Sequence, residues 1–530
     1  MEKQAPSGAA SETRGHAFLV ASGIFLSRLA GFIRVSVFAH YFGNSDAADA
    51  FNAALRIPNF LQNLFGEGVL SASLIPVYAG LRARGREDEA QQVAGAVASL
   101  LALVVSILVL IGIPATPYLI DAIAPGFEGE KRLLAIRLVQ ILFPGTGLLV
   151  MSAWCLGILN SHRKFFLSYS APVIWNAAII AVLLMFGAST EKNELAVKVA
   201  WGAVVGSALQ FGVQLPVAIS LLGRLRLSLG FKLASVREVV RNFVPVVTAR
   251  GVVQISAYVD NLLASLLPTG AVSALTYAQT LYLLPVSLFG MSVSAAELPA
   301  MSSAVGTLEE VAEVLRGKLN SGLRRIAFLI VPSAMAFLAL GDVIAAAVYQ
   351  SGEFKHTDTL YVWGTLAGSA IGLLATTLGR LYSSAFYALH DTRTPLRFAL
   401  IRVALTTILG YLFALHLPAL LHIDARWGVA GLTSSAGLAA WLEFSLLRHN
   451  LNSRIGSTGL SFGFVARLWA SAFVAAVIAL GVEFALPHWR PLVAGAVILG
   501  AYALVYFAVT MVLRVPEALS LLKRIKALRR

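Results

Sequence analysis

Arg28 and Arg34 stand six residues apart inside an apolar stretch running from about residue 17 to 42, in the segment Ser27-Arg28-Leu29-Ala30-Gly31-Phe32-Ile33-Arg34. Such a stretch is long enough to cross a bilayer. An arginine near the centre of a span costs roughly 2.5–3.5 kcal/mol on insertion scales. Two in one helix are tolerated when they face a wet cavity or partners within the protein. A guanidinium is a permanent cation whose donors form a planar fork, matched to carboxylate or phosphate oxygens. The chemistry on offer is electrostatic: holding an anionic group inside the membrane. Six residues of α-helix separate the pair by about 120° and 9 Å, so the two need not point the same way.

Other charges fall within or at the ends of apolar stretches. The basic ones are Arg56, Arg137, Arg250, Arg380 and Arg402; the acidic ones are Glu67, Asp260, Glu297, Glu443 and Glu483. Arg56, Arg137, Arg402 and Glu483 lie close enough to span ends for their side chains to reach the interface. Arg28, Arg34, Glu67, Arg250, Asp260 and Glu297 lie deeper. Their clustering in the first, second, seventh and eighth spans favours a shared cavity, with a structural ion-pair network as the rival reading. Arg250 and Asp260 cannot bond directly, because ten residues of one helix hold them about 15 Å apart.

The elements that must position these residues follow from composition. The chain has 530 residues, is 58% hydrophobic and 13% charged, and carries a net charge of +14. That is too little charge to cover a soluble protein of this size. Apolar runs recur along the whole length, which reads as an all-α polytopic membrane protein with about fourteen transmembrane helices. The basic residues lie between spans rather than in one patch, so nucleic acid is not the expected partner. The single cysteine, Cys155, lies in an apolar run and reads as a buried structural thiol. No phosphate-binding Gly-x-x-x-x-Gly-Lys-Ser/Thr loop and no metal-spaced histidine cluster is present, and no loop is long enough to be a catalytic domain. The chain is expected to be a transporter rather than an enzyme, with no cofactor, driven by a gradient, by the membrane potential or by consumption of its product.

Loop charge orients the spans. The even-numbered connections hold most of the Lys and Arg, among them Arg82, Arg84 and Arg86; Arg163 and Lys164; Arg224, Arg226 and Lys232; Arg393 and Arg397; Arg448 and Arg454. The positive-inside rule then places both termini in the cytoplasm. The expected organisation is a cytoplasmic tail at 1–16, an N-lobe of six helices at 17–228, and a C-lobe of six at 229–450. Two extra helices at 451–513 and a basic cytoplasmic tail at 514–530 follow, the tail lying along the anionic inner leaflet. A faint repeat supports the lobes. The second span ends in Leu74-Ile75-Pro76 and the eighth in Glu297-Leu298-Pro299. Repeated halves with the substrate site between them are common in secondary transporters.

Several segments resemble the MviN/MurJ family of lipid II flippases, within the multidrug/oligosaccharidyl-lipid/polysaccharide exporter superfamily. They are the Arg28–Arg34 segment; Asp49-Ala50-Phe51 with Arg56-Ile57-Pro58-Asn59; Leu64-Phe65-Gly66-Glu67-Gly68; Val259-Asp260 with Leu263-Ala264-Ser265; and Ala385-Phe386-Tyr387-Ala388-Leu389-His390-Asp391-Thr392-Arg393-Thr394-Pro395. The resemblance implies two lobes around a central cavity, a lipid-tail groove made by the last two helices, and alternating access. It implies that cavity arginines hold a pyrophosphate, with Arg34 at one such position and Arg28 at a second basic position. The chain departs from the pattern at Gln62-Asn63, where a basic pair is usual, at Thr280, where arginine is usual, and at Val35, often an acid. Arg250, a position where the family pattern has no arginine, is expected to restore part of that charge, with an ion pair to Glu67 or Glu297 as its rival role.

The resulting expectation is a flippase that carries lipid II from the inner to the outer leaflet of the bacterial cytoplasmic membrane. Arg34, Arg28 and Arg250 would bind the head group. Glu67, Asp260 and Asp49 would tune or gate the cavity, and Gly66 and Gly68 would let the second helix bend. A monomer working beside the cell-wall synthesis machinery is expected. The alternatives are another polyprenyl-diphosphate-linked oligosaccharide as cargo, a cation-coupled drug exporter, or a non-transporting scaffold.

Overall fold

The computed structural model describes residues 7–223, 228–230, 233–302, 307–486 and 489–528, without the side chains of 7–19, 67, 248–257, 295, 300, 308 and 524–528. Among the described residues there is no strand. The helices are α1 (Ser7–Phe42), α2 (Asp46–Phe65), α3 (Glu67–Ala83), α4 (Glu87–Ile123), α5 (Gly129–Ser161), α6 (Phe165–Ser170), α7 (Pro172–Phe186), α8 (Lys192–Leu222) and α9 (Ala234–Ser265). They continue with α10 (Ala271–Pro285), α11 (Ser292–Ser302), α12 (Leu308–Ala339), α13 (Gly341–Tyr349), α14 (His356–Ala388), α15 (Arg393–Tyr411), α16 (Leu417–Leu420), α17 (Gly428–Ile455), α18 (Phe462–Ala485), α19 (Pro491–Val512) and α20 (Pro516–Leu528).

Twelve helical segments among the described residues are long and apolar enough to cross a membrane. Two further long helices, α9 and α17, stand where the seventh and twelfth spans were expected. At 1.5 Å per residue each is about 40–50 Å long, more than the ~30 Å hydrocarbon core. What sets α17 apart from the twelve is its polarity: it carries Thr433, Ser434, Ser435, Glu443, Arg448 and Arg454.

The chain packs as two compact units, Met1–Leu262 and Leu263–Arg530. In the first unit, α3, α4, α5, α8 and the start of α9 share a core that includes Leu74, Val97, Trp154, Cys155, Leu222 and Val239. Cys155 is buried, as its apolar neighbours required. The Trp154 indole donates to the Ala94 carbonyl at 3.1 Å, which satisfies its one polar group inside that core. Helix α9 belongs to this unit by its bonds as well. The Ser235 hydroxyl donates to Glu89 at 2.6 Å near one end, and the Asn261 amide donates to the Ile123 carbonyl at 2.9 Å near the other.

The second expected span is two helices. Ser45 caps α2, its hydroxyl accepting from the Ala48 amide, and Asp46 and Asp49 stand in the first turn, where the helix dipole favours acids. The helix ends at Phe65, and Gly66 separates it from α3. A Cβ on Gly66 would lie 2.0 Å from the Gln62 carbonyl oxygen, an impossible approach. Glycine is what permits this break.

In the second unit α14 and α17 run side by side. A Cβ on Gly372 would lie 2.4 Å from the Gly437 Cα, so the two backbones touch with nothing between them. Small residues allow this approach between membrane helices. Along the same seam the Thr433 hydroxyl donates to the Thr365 carbonyl at 2.8 Å, and the Trp441 indole donates to the Ile371 carbonyl at 2.8 Å. Helices α18 and α19 pack together and against α12 and α13. A capping box of Thr307 and Glu310 starts α12.

Candidate functional site

Arg34 sits on α1, which packs along α6 and α7. It is half-buried, and its Nε donates to the Asn176 Oδ1 on α7 at 2.9 Å. The Trp175 ring lies under the guanidinium, 5.2 Å from ring centroid to Cζ. Attraction between a cation and an aromatic face strengthens when water is excluded. Asn176 is itself fixed, because its Nδ2 donates to the Pro172 carbonyl at 2.9 Å. No acceptor for the terminal amino groups of Arg34 is present among the described residues. The indole N–H of Trp175 is shielded from solvent and has no acceptor among them either. Orphaned buried donors are rare and ask for a reason.

Arg28 is exposed, one and two-thirds turns earlier on the same helix. The structure thus separates the two arginines by environment: Arg34 is tied to α7 and Arg28 stands open. The side chains of Glu67 and Arg250 lie outside the described residues. One of the proposed partners of Arg250 has another: Glu297 pairs with Arg325 at 3.0 Å.

Asp49 is 1% exposed and pairs with the Lys131 ammonium of α5 at 2.7 Å; the same ammonium meets Asp46 at 2.9 Å. Lys131 also lies over the Phe127 ring. One lysine with two carboxylates and an aromatic face clamps the start of α2 to the start of α5. Asp260 is half-buried on α9 and interacts electrostatically with Arg56 of α2. Beside it, the Tyr258 hydroxyl donates to the Arg56 carbonyl at 2.9 Å, and the Tyr258 ring meets Phe60 edge to face.

Arg56 is therefore more than a snorkelling residue. Its place on the sequence, about six residues from the nearest expected span end, hid a partner some 200 residues away. Asn176 and Trp175 were missed altogether, since a neutral amide and an indole in an apolar run carry no charge signal. Arg402 and Glu443, read separately from the sequence, form an ion pair at 3.0 Å between α15 and α17. Gly68 stands in the first turn of α3, just past the break at Gly66. Gln62 and Asn63 occupy the last turn of α2, half-buried and exposed respectively. The Thr280 hydroxyl turns back to the Thr276 carbonyl of its own helix at 2.9 Å.

What the first unit offers, among the described residues, is a fixed cation whose terminal donors meet no acceptor, flanked by an aromatic plane. That is a means of binding an anion, and nothing in it performs bond chemistry. Known proteins share the scaffold. The family model "Lipid II flippase MurJ" matches residues 38–499. A protein of Burkholderia cenocepacia described as lipid II flippase MurJ is 32% identical over 484 residues, 89% of each chain. Among solved structures, "Lipid II flippase MurJ, inward closed conformation" aligns with a TM-score of 0.77 at 23% identity, covering 94% of this chain and 98% of that one. A multidrug resistance MATE family transporter of the MOP superfamily, in its inward-facing conformation, aligns with a TM-score of 0.64 at 19% identity, covering 81% and 94%. The two structures agree in fold, and the sequence match runs through nearly the whole chain, which therefore belongs to the lipid II flippase MurJ family.

Proposed function

We propose that this protein moves lipid II from the inner to the outer leaflet of the bacterial cytoplasmic membrane by alternating access of two lobes. The observation that carries the reading is the sequence match to a lipid II flippase across nine-tenths of both chains. The activity is transport, not catalysis. The cargo has a pyrophosphate anion that must pass through hydrocarbon, and cations inside the spans lower that barrier.

Arg34 binds the pyrophosphate. Support comes from its fixed Nε and from terminal amino groups that meet no acceptor among the described residues. Arg28 supplies a second positive charge, and Arg250 a third. Asp260 with Arg56 and Glu67 tune the cavity, while Asp49 with Lys131 holds one end of it. The lobes are residues 17–228 and 229–450, the seventh span packing in this structure with the helices of the first, and 451–513 forms the lipid-tail groove. Helix two bends at Gly66, with Gly68 in the turn that follows. Both termini lie in the cytoplasm, supported by the loop charges. The protein works as a monomer beside the cell-wall synthesis machinery, driven by an ion gradient or the membrane potential.

The test is outer-leaflet exposure of lipid II in cells depleted of their own flippase and expressing this chain. Restored exposure that fails with Arg34→Ala, at equal protein in the membrane, is the expected result. No exposure from the wild type would overturn the reading.

A further inference from the structure

We propose that Asn176 is a positioning residue for Arg34, and that Trp175 completes the mount, so that the guanidinium meets its anionic ligand end-on. The inference rests on the proposed role of Arg34 in holding the lipid pyrophosphate. A guanidinium can grip a phosphate by either of two edges: the side edge, made of Nε and one amino group, or the end, made of the two amino groups. The 2.9 Å bond from Nε to Asn176 Oδ1 takes the side edge. The end remains, and its two parallel donors match two oxygens of one phosphate.

The orientation of Asn176 is determined. Its Nδ2 donates to the Pro172 carbonyl four residues back at 2.9 Å, so the oxygen must face Arg34. A flipped amide would set donor against donor and lose both bonds. The indole plane of Trp175, one residue earlier on α7, restricts the guanidinium on another side. Asn176 is 6% exposed and Arg34 only half-buried, so the amide lies deeper than the cation it holds.

The chemical type of the partner matters as much as its place. A carboxylate at 176 would hold Arg34 equally well and cancel its charge. The amide accepts the same hydrogen bond and leaves the full positive charge for the ligand. The ion pairs elsewhere in the molecule use the opposite arrangement, as in Lys131 with Asp49 and Arg402 with Glu443. Those cations are neutralised, whereas Arg34 is aimed and left charged.

The experiment measures binding of lipid II, and separately of a polyprenyl diphosphate lacking sugar and peptide, to the purified full chain in nanodiscs. Asn176→Ala should weaken both about tenfold, the size expected for losing a hydrogen bond to a charged group. In an Arg34→Ala background the same change should do nothing further, because Asn176 acts through Arg34. Asn176→Asp, nearly isosteric, gives up the bond to the Pro172 carbonyl but pairs its carboxylate with Arg34, and should bind as poorly as Arg34→Ala, with the folded fraction of each variant measured alongside. This second variant keeps the test decisive if Asn176→Ala folds badly. Equal losses from Asn176→Ala with and without Arg34, or wild-type binding by Asn176→Asp, would overturn the positioning role alone. A wild type that binds the bare diphosphate lipid and not lipid II, with the Asn176 pattern intact, would overturn the lipid II cargo and leave the mount standing. Binding of neither lipid would overturn both.

Discussion

The Tyr506 hydroxyl on α19 donates to the Phe328 carbonyl on α12 at 2.7 Å. Phe328 stands four residues before Pro332, which has no N–H to give, so this carbonyl is the one the helix itself leaves unpaired. In hydrocarbon no water fills the vacancy. Tyr502, one turn earlier on α19, donates to the Pro332 carbonyl at 2.7 Å. Tyr506→Phe should cost about 1–3 kcal/mol, the price of an orphaned buried acceptor. Tyr502→Phe should cost less, because the Pro332 carbonyl keeps its own helical donor. Thermal unfolding of the purified variants checks the order, and a larger effect at Tyr502 would contradict it.

Gly372→Ala should push α14 and α17 apart, since its Cβ would lie 2.4 Å from the Gly437 Cα. Both sides of the contact are backbone, which cannot swing away. Overpacking of this kind costs typically 1–3 kcal/mol. Gly500→Ala, with nothing within 4 Å of its Cβ, is the control and should be neutral. The readout is the yield of folded, monodisperse protein and its unfolding temperature.

Gly66→Ala should abolish transport with the protein still present in the membrane. Its Cβ cannot sit 2.0 Å from the Gln62 carbonyl oxygen, so the break between α2 and α3 must move or heal. Gly80→Ala, in open space on α3, should transport as the wild type does. Lipid II exposure in cells separates the two; equal activity of both variants would remove any role for the break.

Asp391 should make the wild type acid-sensitive in a defined window. Its carboxylate accepts from the Thr394 hydroxyl at 2.7 Å and the Thr394 amide at 3.0 Å, and pairs with Arg454 at 2.8 Å. These contacts, the Thr394 hydroxyl foremost, hold its pKa down to about 2. An unfolded aspartate titrates near 3.9. A depressed carboxylate contributes its stabilisation above the unfolded value and loses it as pH falls through the folded one. Asp391→Asn should therefore unfold earlier than the wild type at neutral pH, with the gap closing between about pH 4 and pH 2. Unfolding curves across that range provide the check.

The apolar runs made the helical fold legible, because a span is a local property of about twenty residues. The pairing of spans was not legible. Arg34 announces itself as a cation in hydrocarbon, whereas the amide that aims it is 142 residues away and looks like any polar residue in a helix. Pro332 is visible as a gap in a helix, and nothing near it in sequence names Tyr506 as the group that fills it. Gly66 and Gly68 were readable as a place to bend; that the chain breaks at Gly66 alone depends on where the Gln62 carbonyl points. Arg56 was placed near a span end by sequence, while its charge partner lies on a helix that sequence could not set beside it.

The seam between α14 and α17 has a mechanical consequence. It is fastened at Thr365–Thr433, at Gly372–Gly437, at Ile371–Trp441 and, between the loop after α14 and the last turn of α17, at Asp391–Arg454. Two rods joined at successive points resist flexing far more than either alone. The pair should travel as one stiff beam: a push delivered at the Thr365 end arrives at the loop around Asp391 almost undiminished, and whatever bending transport demands of this unit must be taken up by other helices.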